Sequence, residues 1–159
     1  MVLPTPPSIT LPPEDRLELL RAELETSGRL NLTIRGNCMH PWALNGDSIL
    51  VRPLTQSPPV GEVVVFFEAA ELFAHRVVRY DEQGRVVTRG DLSARPDRAR
   101  PWQDLLGRVS EVNNRYAGRL DPSSPTVIRV LPLARVVFGT LVETRRLLGR
   151  FERWRSARR

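Results

Sequence analysis

Lysine is absent from this chain: all 24 basic residues are arginine. That excludes any mechanism with a desolvated lysine amine as base, the serine–lysine hydrolytic dyad among them, because a guanidinium does not give up its proton inside a protein. Cysteine is nearly absent. Cys38 stands alone, which rules out an intrachain disulfide and any multi-cysteine zinc site. A free thiol fits a reducing compartment, so the expected location is the cytoplasm, with a peripheral position at the membrane as its variant. Histidine is limited to His40 and His75, far apart and with no short ligand spacing, so neither a metal nor another cofactor is expected. No apolar run approaches the ~20 residues needed to cross a bilayer. The opening MVLPTPPSITLPPEDR lacks the basic start and apolar core of a secretory signal. No glycine-rich loop ending in Lys-Ser/Thr is present to cradle phosphates.

What charge there is lies at one end. Residues 127–159 hold nine arginines against Glu143 and Glu152, a net of +7; the chain total is +6, so residues 1–126 sum to −1. A near-neutral body argues against a basic nucleic-acid face, and no nucleic-acid partner is expected. A cationic appendage suits an anionic lipid surface or an acidic partner.

The 159 residues suffice for one domain with a core. Three segments are expected: a proline-rich lead over 1–13, a β domain with an N-terminal helix over 14–121, and a linker plus basic amphipathic helix over 122–159. Glu14 to Thr26 reads as a helix stopped by Ser27-Gly28. Strands are expected at Leu30–Arg35, Ser48–Arg52, the apolar run Gly61–Phe67, a hairpin of Leu72–Tyr80 with Arg85–Thr88, and Leu105–Asn113. Pro122 to Pro125 reads as linker, and helix returns from about Leu133. The fold class is mainly β (α+β): a small coiled, barrel-like sheet with a helix before and a basic helix after it.

The lone thiol sits in GNCMHPWALNGDSILV, residues 36–51, a polar turn fenced by Gly36 and Pro41 and followed by an apolar strand. A structural cysteine hides among aliphatics; a reactive one suits such a loop. His75, in ELFAHRVVRY, shares a strand face with Phe73 and Val77, whereas Arg76 and Val78 point the other way. A ring in that row needs a buried partner, and a core or interface histidine is the plainer reading. A thiol and an imidazole brought within ~3 Å form a thiolate–imidazolium pair able to attack a carbonyl at neutral pH. A third group must orient the ring. Asp91 and Asp97 are the candidates; the alternatives are a turn residue for Asp91 and a surface ion-pair partner for Asp97.

These residues carry a likeness. Gly36-Asn37-Cys38-Met39-His40-Pro41 followed by Gly46-Asp47 and an apolar strand resembles the box around the catalytic serine of signal-peptidase-like and LexA-like peptidases. Gly61-Glu62-Val63-Val64-Val65-Phe66 resembles the next box, with Glu62 where aspartate is usual. Ala74-His75-Arg76-Val77-Val78 is similar to the His-Arg-Val box of the archaeal and endoplasmic-reticulum-type branch, in which histidine replaces the lysine base. Thr88-Arg89-Gly90-Asp91, with Asp97 beyond, resembles that branch's Thr-Lys-Gly-Asp turn and second aspartate, and Leu106-Gly107-Arg108-Val109 its closing strand. The five boxes run in order over residues 31–112.

The resemblance implies a signal-peptidase/LexA-type catalytic fold and an endopeptidase that cleaves a leader or signal-like peptide of a precursor protein. Cys38 would replace the serine, His75 would be the base, and Asp91 or Asp97 would orient it. Met39 would pack beneath the nucleophile and Pro41 would stiffen the exit, both against substrate. An extended peptide would lie along an exposed strand edge, at Leu32–Arg35 or Val63–Phe67. With neither a transmembrane anchor nor a helix-turn-helix domain in the sequence, the expected analogy is with small stand-alone members. The alternative is a catalytically silent peptide-binding or maturation-accessory module on the same scaffold. A third reading is a membrane-surface adaptor, with residues 133–155 as an amphipathic helix carrying arginines opposite Val137, Leu141, Leu148 and Phe151; a helix packed on its own domain is its counterpart.

Overall fold

A computed structural model describes residues 12–133 and residue 136. The proline-rich lead and nearly all of the expected basic helix, including Leu141, Leu148, Phe151 and Trp154, lie outside the described residues.

Helix α1 spans Pro13–Ser27. Proline at its first position loses only an N–H that would be unpaired anyway, and Glu14 and Asp15 place negative charge at the positive end of the helix dipole. Gly28, at φ 66°, takes the left-handed turn that stops the helix, and its N–H returns to the Leu24 carbonyl. Seven strands follow: β1 Leu30–Thr33, β2 Ser48–Arg52, β3 Val63–Glu68, β4 Glu71–Tyr80, β5 Val86–Arg89, β6 Leu105–Asn114 and β7 Gly118–Leu120. All pair antiparallel in the order β1-β2-β6-β3-β4-β5, with β7 also on β6.

The sheet is not closed into a barrel, which corrects the barrel-like expectation: β1 and β5 end the order and do not pair with each other. What is shown is a mainly β antiparallel sheet with helices. A second correction concerns the apolar run at 61–67. As β3 it lies between β6 and β4, so it offers no free edge to a peptide. Both its faces are covered, which is why it reads as an unbroken apolar run. Val63 and Val65 join Leu24, Ile49, Val51, Val109 and Val112 on one face, while Val64 and Phe66 join Val77, Val86 and Leu105 on the other. Each such buried side chain contributes about 1.5–3 kcal/mol. Helix α1 reaches the first cluster through Leu24, which crosses β6 at Gly107. A Cβ there would lie 2.5 Å from the Arg52 carbonyl oxygen and 2.7 Å from Val51, so β2 and β6 can close beneath the helix only with glycine at 107.

A third correction is the start of the last helix, α2. It begins at residue 125, not near 133, and is described to residue 133. Ser124 caps it: the Val127 N–H donates to Ser124 Oγ at 3.4 Å, and Pro125 occupies the first position. Val127 and Leu131 are buried against the body, and Ser123 Oγ accepts the Val63 N–H at 3.2 Å. No helix among the described residues is long and apolar enough to cross a membrane.

Candidate functional site

Cys38 lies in the turn between β1 and β2. The turn is tied by backbone and amide bonds: His40 N–H to the Asn37 carbonyl, Ala43 N–H to the Met39 carbonyl, and Gly36 N–H to Asn45 Oδ1 at 3.1 Å. The loop after β5 holds it from the other side, where the Leu92 N–H donates to the Cys38 carbonyl at 2.9 Å. Gly90 faces Cys38 closely; a Cβ on it would come within 3.1 Å of both the Cys38 Cβ and its carbonyl oxygen. The thiol is thus held by two loops that are far apart in sequence.

His75 projects from β4 on the face that carries Val64 and Phe66, because its partner in register is Val64 and that of Phe73 is Phe66. Phe66 meets the imidazole edge-on at 5.7 Å between centroids, and Phe73 lies 5.8 Å away. The ring is buried, and its Nδ1 donates to Asp97 Oδ2 at 2.7 Å. Asp97 reaches it because the loop returns along β5: the Asp97 N–H donates to the Thr88 carbonyl at 2.8 Å, and Thr88 Oγ1 donates to Asp97 Oδ2 at 2.6 Å. The other ring nitrogen, Nε2, is buried and has no hydrogen bond of normal geometry. Cys38 is near enough to act on the ring electrostatically. Burial disfavours a charged imidazole, but the Asp97 carboxylate and the Cys38 sulfur beside it outweigh that and push its pKa up to about 9. Burial works against the Asp97 carboxylate too, yet its bonds to His75 and Thr88 and the nearby Arg100 hold it below the usual range. At neutral pH the ring is thus an imidazolium beside Cys38. Among the described residues no three potential ligands cluster around a metal position.

Of the two candidate orienters, Asp97 is the one at the histidine. Asp91, expected as its equal, is turned to the other face of β4. It is fully buried, and its carboxylate accepts Arg76 Nε at 2.9 Å and Nη2 at 2.7 Å. Arg76 Nη1 donates to the carbonyls of Gly61 and Pro122, both at 2.7 Å. This cluster ties β4, the Gly90-Asp91 turn and the entry to α2 together, so Asp91 is a structural anchor.

A groove of about 640 Å³ adjoins the thiol. Cys38 and Met39 line it together with Leu32 and Ile34 from the β1 side and Leu72, Phe73 and Ala74 from β4. Both bordering strands present open edges. β1 pairs only with β2, and β5 meets β4 from Arg76 onward, so Glu71 to His75 have a strand neighbour on one side only. The expected edge at Leu32–Arg35 therefore borders the groove. Met39 is a buried member of the core that also reaches the groove. Pro41, expected to contact substrate, does not line this groove. Its carbonyl accepts Asn114 Nδ2 at 3.2 Å, so it holds the turn to β6. Sequence reasoning missed Thr88 and Gly90 as parts of the site. The spacing of Thr88 from Asp97 could have pointed to the first only if the loop's return along β5 had been foreseen. No protein-family model matches this chain, and no curated protein is significantly similar to it in sequence.

Proposed function

We propose that this chain is a thiol endopeptidase of the signal-peptidase-like type, cleaving a leader or signal-like peptide of a precursor protein. The observation that carries the reading is the setting of one side chain: His75 is bound to Asp97 at 2.7 Å through Nδ1 and is acted on by Cys38, which lines a groove with two open strand edges. An extended peptide would add its backbone to those edges, with its side chains in the apolar groove. The Cys38 thiolate would attack the scissile carbonyl carbon, and the electron pair would move onto the carbonyl oxygen. The Cys38 backbone N–H would donate to that oxyanion, as the resemblance implies; one such donor is worth ~2.7–4 kcal/mol in the transition state. Collapse would break the C–N bond while His75 Nε2 hands its proton to the leaving amine, leaving a thioester. Water, deprotonated by His75, would then release the peptide acid and restore the thiolate.

The test is labelling with a peptide-like thiol electrophile, followed by cleavage of a candidate precursor. Labelling that depends on His75, together with cleavage abolished by Cys38→Ala and partly kept by Cys38→Ser, supports the proposal. Equal cleavage by Cys38→Ala overturns it. A second reading is a silent peptide-binding module, which uses the same open strand edges to bind the precursor without cleaving it. A further proposed partner is an anionic membrane surface, met through residues 133–159. The charge of the tail supports it, as does the outward exposure of Leu133, at about 1 kcal/mol per arginine near the lipid. Liposome co-sedimentation that survives deletion of 133–159 removes that partner.

A further inference from the structure

We propose that Thr88 is a positioning residue for His75, clamping the Asp97 carboxylate so that the imidazole is held toward Cys38; this rests on the Cys38–His75 reading above. Thr88 is completely buried on β5, next to Val86 and Val87 and in register with Val77. A hydroxyl in such a place is costly unless it finds a partner. Its one donor goes to Asp97 Oδ2, the same oxygen that receives His75 Nδ1. Its carbonyl accepts the Asp97 N–H. Thr88 therefore holds Asp97 at both backbone and carboxylate, although Asp97 sits in a loop with no strand or helix of its own.

A carboxylate held only by the histidine can swing toward Arg100, whose charge already acts on it. Arg100 is itself committed elsewhere, stacked 3.7 Å over the Phe66 ring and paired with Glu68 at 2.8 Å. The charged and titratable groups that bear on the His75 ring are thus Asp97 and Cys38, with Arg100 and Glu68 beyond Phe66. With the hydroxyl in place, the oxygen facing Nδ1 is fixed. Valine has nearly the volume of threonine and lacks only the donor.

The experiment uses the full chain and needs no substrate. His75 is titrated by NMR through its imidazole protons, and Cys38 alkylation by iodoacetamide is timed near neutral pH. In Thr88→Val, His75 titrates well below the parent's value, and alkylation slows by about tenfold as the imidazolium loses its hold beside the thiol. Thr88→Ser restores both. Thr88→Ala carries the same expectation should valine not fold. A folded Thr88→Val or Thr88→Ala that titrates His75 as the parent does overturns the proposal, since a merely structural threonine changes stability and leaves the titration in place. Failure of the peptidase reading is seen separately. Cleavage unaffected by Cys38→Ala removes that reading, while the Thr88 effect on His75 stands or falls on its own titration.

Discussion

His75 and Arg76 are neighbours on β4, point to opposite faces, and each takes an aspartate from the same loop. Yet the two pairs are built for different ends. Arg76 and Asp91 meet through two parallel bonds with side chains 4% and 0% exposed, and the remaining guanidinium nitrogen serves two carbonyls. Every donor nitrogen is used. His75 and Asp97 share one bond, their side chains are 7% and 19% exposed, and one ring nitrogen is left over. A fully satisfied buried pair resists change and anchors loops. A pair that leaves one ring nitrogen free of its aspartate retains a proton that it can hand on. The contrast separates the anchor from the proposed chemistry within two successive residues.

The sharpest test of that division is Asp97→Asn. The amide keeps the shape but no longer favours the imidazolium, so precursor cleavage falls on the order of 10²–10⁴-fold while the protein stays folded. Steady-state cleavage beside a denaturation curve checks it. If Asp97→Asn unfolds the protein and Asp91→Asn only slows cleavage, the two roles are reversed.

Arg76→Met is expected to cost about 3–5 kcal/mol of stability, because the buried Asp91 charge loses its guanidinium. Urea denaturation with an unchanged slope measures it. Adding Asp91→Leu returns most of the loss, since removing both charges also removes the cost of burying them. A single variant as stable as the parent would show that the cluster anchors nothing.

The sheet strands were legible because their patterns are local. The apolar run of β3, the alternation that put His75 and Arg76 on opposite faces, and the Ser27-Gly28 stop of α1 all depend on neighbouring residues. Strand pairing is not local. Nothing in 61–67 says that β6 will cover its far edge, so that run looked like a possible landing edge when it is interior. The choice between Asp91 and Asp97 was closed to the sequence for a similar reason. Both follow β5 within a few residues, and only the return of the loop to Thr88 and the bond of Arg76 to Asp91 divide them. Pro41 was read from the box it completes, but its carbonyl serves Asn114, distant in sequence.

A smaller effect comes from pH. The folded His75 pKa, about 9, lies above the ordinary value of 6.5. A raised pKa means that the folded state holds the proton more tightly, so this contribution is fully present below about pH 6.5 and is lost as pH rises through about 9. At 1.36 kcal/mol per pKa unit its ceiling is about 3 kcal/mol. Denaturation curves at rising pH should therefore show a decline that His75→Gln removes and Arg76→Met leaves intact. A decline that persists in His75→Gln would assign it to another group.

The smallest expected effect tests how far the Arg76 anchor extends. Ser124-Pro125 lies in the stretch that reads as linker from the sequence, yet the helix starts there. In the structure Ser124 caps α2, Ser123 holds the Val63 N–H, and the Pro122 carbonyl accepts from Arg76. Three consecutive residues thus join the helix start to β3 and β4. Ser124→Ala removes one cap, worth about 1 kcal/mol. If α2 is part of the anchor, the loss combines non-additively with Arg76→Met, since the two sites share the Pro122 turn. If the helix start is independent, the two losses add. In either case His75 titrates unchanged, because the imidazole is on the other face of β4, and a shift in its titration would break the division between the two pairs.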